Sequence, residues 1–216
     1  FNTMEYKVQT AKSYSKFRLN ITEIQGTSTF QFAKWQLMGE ATSGPLVKVA
    51  CIGNSITANA RLDKVAPEER YPRILQNLLG ADYIVENFGV GGATLLKGSS
   101  YPYWNHPAYS SVLAFKPDIV VINLGTNDSN PSNWVKKANF VSDYVEFINS
   151  FKAVNPNVQV FTCYPITSWH STMPIVDKTV TDEIIPMIDE IASQTGATVI
   201  DLHRQSEGKV YQTYDY

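Results

Sequence analysis

Long apolar runs are missing from this 216-residue sequence, and no stretch approaches the ~20 consecutive apolar residues of a membrane-spanning helix. An excess of either charge is missing too. Eighteen Lys and Arg face 20 Asp and Glu, the formal net charge is −2, and no general attraction to nucleic acid or to an anionic membrane is written into the chain. Cysteine is scarce: the two present, Cys51 and Cys163, fall in apolar runs assigned to non-adjacent strands of one sheet. Two strand spacings exceed the roughly 7 Å that a disulfide tolerates between Cα atoms, which argues against a bridge. No His-Glu-x-x-His motif and no Cys/His cluster with metal-ligand spacing occurs, so no metal or cofactor is expected. The opening residues Phe1-Asn2-Thr3-Met4-Glu5 carry neither the charged nor the apolar region of a signal peptide.

What is present organises into two parts. In residues 14–38, Phe17, Leu19 and Ile21 alternate with Arg18, Asn20 and Thr22, a turn follows at Gln25-Gly26-Thr27, and Phe30 and Phe32 alternate with Gln31 and Ala33. This is one-face-buried antiparallel patterning, and two strands alone need partners to be stable. The stretch resembles the last strands of a galactose-binding-like β-sandwich, so residues 1–40 are expected to be the tail of such a unit, with Gly39 to Pro45 as linker.

From Leu46 the pattern becomes strand and helix in alternation. Short apolar runs at 46–52, 83–88, 119–124, 158–163 and 197–202 predict buried parallel strands. Helical stripes fall between them: Tyr71, Ile74, Leu75, Leu78 and Leu79; then Trp134 through Phe151; then Ile184 through Ala192, with Gly196 as the terminating glycine. The expectation is an α/β domain over residues 46–216, flavodoxin-like, three layers deep, with a five-stranded parallel sheet and a short antiparallel β segment ahead of it.

The polar residues at the strand ends carry the chemistry. The first run breaks at Gly53-Asn54-Ser55-Ile56-Thr57, delivering a serine where ligands sit in an open α/β sheet. Ser55 there is either a nucleophile or the cap of the next helix. The second run enters Gly89-Val90-Gly91-Gly92-Ala93-Thr94. The third glycine of a dinucleotide fingerprint would fall at Thr94 and no Gly-Lys-Ser/Thr follows, which argues against a nucleotide site. The third run ends in Gly125-Thr126-Asn127-Asp128-Ser129, an Asx-turn or the source of an oxyanion-binding carboxamide. A serine, a backbone able to approach a ligand closely, and an asparagine amide are what acyl transfer requires.

These three segments, in order and at fitting separations, resemble the first three signature blocks of the SGNH (GDSL-type) esterase and acylhydrolase family. The resemblance covers about residues 46–216. It implies that Ser55 is the nucleophile, with its own N–H, Gly92 and Asn127 as oxyanion donors. The family more often has Asp where Asn54 stands, a neighbour of the nucleophile rather than an attacking group. The stretch from Gly91 to Trp134 most resembles carbohydrate O-acetylesterases of the family, including sialate O-acetylesterase-like members. The family takes its general base from an Asp-x-x-His block after the last strand. Gly208-Lys209 sets a frame in which Asp215, seven positions past the glycine, is the triad acid, and the histidine would fall two residues past Tyr216. The expected reading is a chain that stops just ahead of its base.

Three histidines are present, and each has a structural alternative: His203 as a loop anchor, His170 as a surface loop residue, His106 as part of a packed aromatic loop. Tyr101, Tyr103, Trp104 and His106 are a candidate sugar-stacking wall. Asn54, Asp128, Trp104 and His106 complete the candidate substrate-binding set, and Asp128 is also placed to brace its loop. Arg61 and Arg70 flank the serine loop, and Lys136 and Lys137 belong to a solvated helix face. The expected function is a serine esterase removing acetyl or another short acyl group from a carbohydrate, acting on a small-molecule or glycan ester and not on nucleic acid or membrane. The resemblance implies export to a periplasm or cell surface. The alternatives are a catalytically incomplete carbohydrate-binding or interaction module and, less favoured, a lipase or thioesterase.

Overall fold

The computed structural model describes residues 45–58, 69–168 and 174–207. The antiparallel segment at 14–38, Arg61, His170 and Asp215 lie outside the described residues. Five strands form one sheet: β1 Val47–Gly53, β2 Tyr83–Gly89, β3 Ile119–Asn123, β4 Gln159–Tyr164 and β5 Thr198–Asp201. Every pairing is parallel and the order is β2-β1-β3-β4-β5, the flavodoxin-like arrangement. The inner strands β1 and β3 read as apolar runs because both faces are covered. Val49, Ala50, Cys51 and Ile52 are all buried on the interior strand β1.

Between the strands lie α1 Ser55–Ala58, α2 Tyr71–Leu79, α3 Pro107–Phe115, α4 Pro131–Trp134 and α5 Phe140–Val154. Then come α6 Asp177–Thr179, running through a π-turn at Val180–Ile184 into α7 Ile185–Thr195, and finally α8 Leu202–Ser206. The chain moves one way along the sheet from β1 to β2 and the other way from β2 to β5. Right-handed crossovers therefore put α2 on one face and α3, α5 and α7 side by side on the other. The second group covers an aromatic core in which Phe147 meets Tyr103, Trp104, Tyr109 and Phe151 at ring separations of 4.9–5.6 Å.

Two helical expectations change in detail. The stripe from Trp134 to Phe151 is two helices, because Asn130 caps a one-turn α4 and a 3-10 turn at Lys137–Asn139 precedes α5. The aromatics bridge that break, with Trp134 on Phe140 at 5.3 Å and Phe140 stacked on Tyr144 at 5.9 Å. Helix α2 forms over its predicted span, but Ile74 and Leu78 of its stripe face outward. It lies over the edge strand β2, to which the Gln76 amide fastens it by donating to Gly80 and Tyr83 carbonyls and accepting the Val85 N–H.

Candidate active site

The register sets the three polar segments on one edge of the sheet. Gly53 pairs with Gly89 on one side and with Asn123 on the other, so Ser55, Gly92 and Asn127 follow within a few residues of aligned strand ends. The local reason for the first is a division of labour. Asn54 is the cap of α1: its carbonyl accepts the Ala58 N–H and its Oδ1 accepts the Ile56 N–H, both at 2.9 Å. Ser55 is then the first helical residue, released from capping, with its own N–H among those a helix start leaves without an intrahelical partner. Gly53 and Gly89 let α1 lie on the strand ends. A Cβ on Gly53 would sit 2.1 Å from Thr57 Oγ1, and one on Gly89 would sit 2.2 Å from Ala58 N.

Gly92 stands in a β-turn closed by the Ala93 N–H to the Val90 carbonyl, and the Val90 N–H is tied to the Gly53 carbonyl at 2.9 Å. Its φ is +79°, as the third position of a type II turn requires, and the turn's own hydrogen bond does not engage the Gly92 N–H. The Asn127 amide donates one proton to the Ala93 carbonyl at 2.9 Å, which leaves the second for another acceptor. Gly92 and Asn127 line one cavity of about 150 Å³, together with Ser100, Asn130, Asn133 and the Pro174-Ile175 pair. Asn133 is the keystone of its wall, accepting the Ser100 N–H and donating to the Asn127 carbonyl. Sequence reasoning missed Asn130 and Asn133. The Asn-Pro pair at 130–131 is a helix-start signal that points to a cap, not to a cavity wall.

Three members of the candidate substrate-binding set are corrected by their hydrogen bonds and packing. Asp128 is fully buried and spends both oxygens on the Leu95 and Leu96 N–H groups at 2.8–3.0 Å, so it cannot touch a substrate and acts only as a brace. Burial pushes its pKa up from 3.8 to about 6, with the backbone N–H groups of Leu96, Leu95, Asp128 and Gly125 opposing the rise. Asn54 is likewise buried in its capping role. Trp104 turns inward: its indole N–H donates to the Leu95 carbonyl at 2.8 Å and its ring packs on Tyr109 and Phe147.

The wall of four aromatics splits in the same way. Tyr103 is buried with its hydroxyl donating to the Phe88 carbonyl, whereas Tyr101 is 47% exposed and pairs with His106 at a ring separation of 4.2 Å. A Cβ on Gly92 would come 3.7 Å from the Tyr101 ring, so this outward pair borders the glycine turn. A bridge between Thr94 and Pro102 pins the loop between the two tyrosines, and the chain turns directly after it into a 3-10 helix at Tyr103–Asn105. His203 is an anchor: Nδ1 bonds the Pro165 carbonyl at 2.9 Å and Nε2 faces Thr181 Oγ1 at 3.4 Å. Cys51 and Cys163 are free, buried thiols, raised by burial to about 11 and about 12.

Fold and site together define a flavodoxin-like α/β protein whose carboxyl-edge loops offer a serine, a glycine turn and a half-used carboxamide. Residues 51–216 match the GDSL-like lipase/acylhydrolase family, and the chain belongs to that family. An acetylxylan esterase of Xylanibacter ruminicola is 41% identical over 177 residues, covering 73% of this chain and 36% of that protein. The chain thus spans just over a third of the length of that relative. Among solved structures, the acetyl xylan esterase AlAXEase superposes with a TM-score of 0.58 at 23% identity, covering 74% of this chain and 79% of that one. The carbohydrate acetylesterase Est24 from Sinorhizobium meliloti superposes at 0.57 with 16% identity, covering 72% and 83%. At these identities both likenesses speak to the fold.

Proposed function

We propose that the protein is a serine esterase that removes acetyl groups from a carbohydrate. The observation that supports the proposal is the register that sets the ends of β2, β1 and β3 side by side, followed within a few residues by a turn N–H, a serine freed from capping and a carboxamide proton. The 41% identity to an acetylxylan esterase supports the substrate class. In this reading Ser55 Oγ attacks the ester carbonyl carbon and passes its proton to a histidine paired with Asp215, in a chain extended beyond Tyr216. The carbonyl oxygen becomes an oxyanion held by the N–H groups of Ser55 and Gly92 and by the Asn127 amide. Collapse breaks the bond to the sugar oxygen, which takes the proton from the base. Water, deprotonated by the same base, then attacks the acetyl-serine and releases acetate.

The cavity beside the oxyanion donors supports a sugar as leaving group. Among the described residues its walls carry the carboxamides of Asn130 and Asn133 and the hydroxyl of Ser100, with no ionisable side chain. Such a surface suits a neutral polyol better than a phosphate head group or a long acyl chain. Acting on an acetylated polysaccharide places the enzyme outside the cytoplasm, which cell fractionation checks. The deciding experiment is turnover of p-nitrophenyl acetate and acetylated xylan by the extended chain and by its Ser55→Ala variant. Loss of both activities is expected, and full turnover without Ser55 would sink the reading. Octanoate esters in the same assay separate a lipase, since each methylene held in an apolar groove adds about 0.8 kcal/mol.

A further inference from the structure

We propose that Asp128 is a positioning residue of the oxyanion hole: its ionised carboxylate grips the Leu95 and Leu96 amides and so holds the turn that carries Gly92. The inference rests on the esterase reading above and assigns a task to a buried group which that chemistry leaves unused. The turn at Val90–Ala93 has an anchor at each end. On the β1 side the Val90 N–H bonds the Gly53 carbonyl at 2.9 Å. On the β3 side the Asn127 amide donates to the Ala93 carbonyl at 2.9 Å, and the next residue, Asp128, accepts from Leu95 and Leu96. Adjacent residues of the β3 loop thus hold the glycine loop in opposite senses, one as donor and one as acceptor.

The carboxylate pays a stability cost for this grip. It is fully buried, and among the described residues no Lys or Arg pairs with it. From the glycine loop Lys97 turns its ammonium to Glu146 and over the Trp104 ring. From α5 the facing titratable group is Tyr144, whose hydroxyl pairs with Thr162 of β4 at 2.6 Å and whose pKa is raised by its own burial. A buried, unpaired charge is not kept for stability. It fits a group retained because an acceptor with two oxygens is needed. Oδ1 accepts from both amides and Oδ2 from Leu95 alone, so an Asp128→Asn amide nitrogen in the place of Oδ2 would face the Leu95 N–H at 3.0 Å and shift the turn.

The test uses the active, extended enzyme with p-nitrophenyl acetate. Asp128→Asn is expected to lower kcat by about 10–100-fold, the scale of a sub-ångström to 1 Å misplacement, with KM unchanged. Asp128→Glu, which keeps the acceptor pair, is expected to recover part of that loss. Unchanged kcat, or a loss that only follows the folded fraction in a thermal melt, would overturn the proposal. A second measurement needs neither a folded variant nor substrate: in ¹⁵N-resolved spectra of the wild-type chain, the Leu95 and Leu96 amide protons should titrate together with a midpoint near 6. Amide shifts that stay flat through that range overturn the proposal as well. Turnover that does not depend on Ser55 removes the esterase reading alone, and the amide titration still decides whether Asp128 holds the loop.

Discussion

Asn54, not Ser55, caps helix α1, and the two neighbours therefore split the tasks open to a polar residue at the end of β1. The Asn54 Oδ1 is spent on the Ile56 N–H, and Ser55 enters the helix with its hydroxyl uncommitted among the described residues. Serine is among the favoured caps, so a single serine after a strand reads ambiguously until its neighbour's hydrogen bonds are seen.

The first prediction follows from that division. Asn54→Asp keeps a capping oxygen and should leave stability and activity near wild type, whereas Asn54→Ala should cost about 1 kcal/mol and lower kcat as the start of α1 loosens. Urea unfolding beside ester turnover measures both.

Asn127 makes one structural hydrogen bond through its amide, to the Ala93 carbonyl, and in the proposed mechanism its other amide proton goes to the reacting oxygen. Asn127→Ala should reduce kcat by about 10²–10³-fold with little change in KM, because that interaction strengthens as the charge develops. Steady-state kinetics on p-nitrophenyl acetate reads it directly.

Gly89 and Gly92 are glycines for different reasons and should fail differently. A methyl on Gly89 would meet the Ala58 backbone at 2.2 Å, so Gly89→Ala must displace α1 and should lower the melting temperature sharply. A methyl on Gly92 meets nothing closer than 3.7 Å, and Gly92→Ala should cost only the positive-φ penalty of about 1–2 kcal/mol while moving the turn N–H. Circular-dichroism melts of the two variants distinguish clash from strain.

Stability should depend on pH through Asp128. Its folded pKa of about 6 lies above the ordinary 3.8, so its stabilising contribution is fully present below about 4 and is lost as pH rises through about 6. A shift of that size corresponds to on the order of 3 kcal/mol. Denaturant unfolding of wild type against Asp128→Asn from acid to neutral pH should show the wild type losing ground, and parallel curves would refute the assignment.

Tyr101 and His106 form the outward half of the aromatic loop, beside Gly92. Stacking on a sugar ring contributes about 0.5–1.5 kcal/mol. Tyr101→Ala should therefore raise KM several-fold for acetylated xylan oligomers and leave p-nitrophenyl acetate kinetics unchanged.

The sheet was legible because parallel strands covered on both faces carry unbroken β-branched and apolar runs, and all five runs became strands. The placement of Ser55, Gly92 and Asn127 just past three aligned strand ends was legible, because the apolar runs before them break at glycine or polar residues. Helix α3 was not, since a helix that is apolar on several sides shows no clean stripe. Nor were the directions of Trp104 and Tyr101 within one loop, whose path is pinned by the bridge between Thr94 and Pro102. Asp128 looked like a ligand contact because carboxylates are seldom buried without a cation. Two amide groups more than thirty residues away in sequence account for its place.

Where two backbones touch, neither can be exchanged alone. The seam between Gly89 and Ala58 makes the serine loop and the glycine loop a fitted pair, so a chimera whose crossover falls between those residues would join halves shaped for different partners. Shuffling that moves both loops as one cassette should preserve the seam, and in natural lineages the two segments should change in concert.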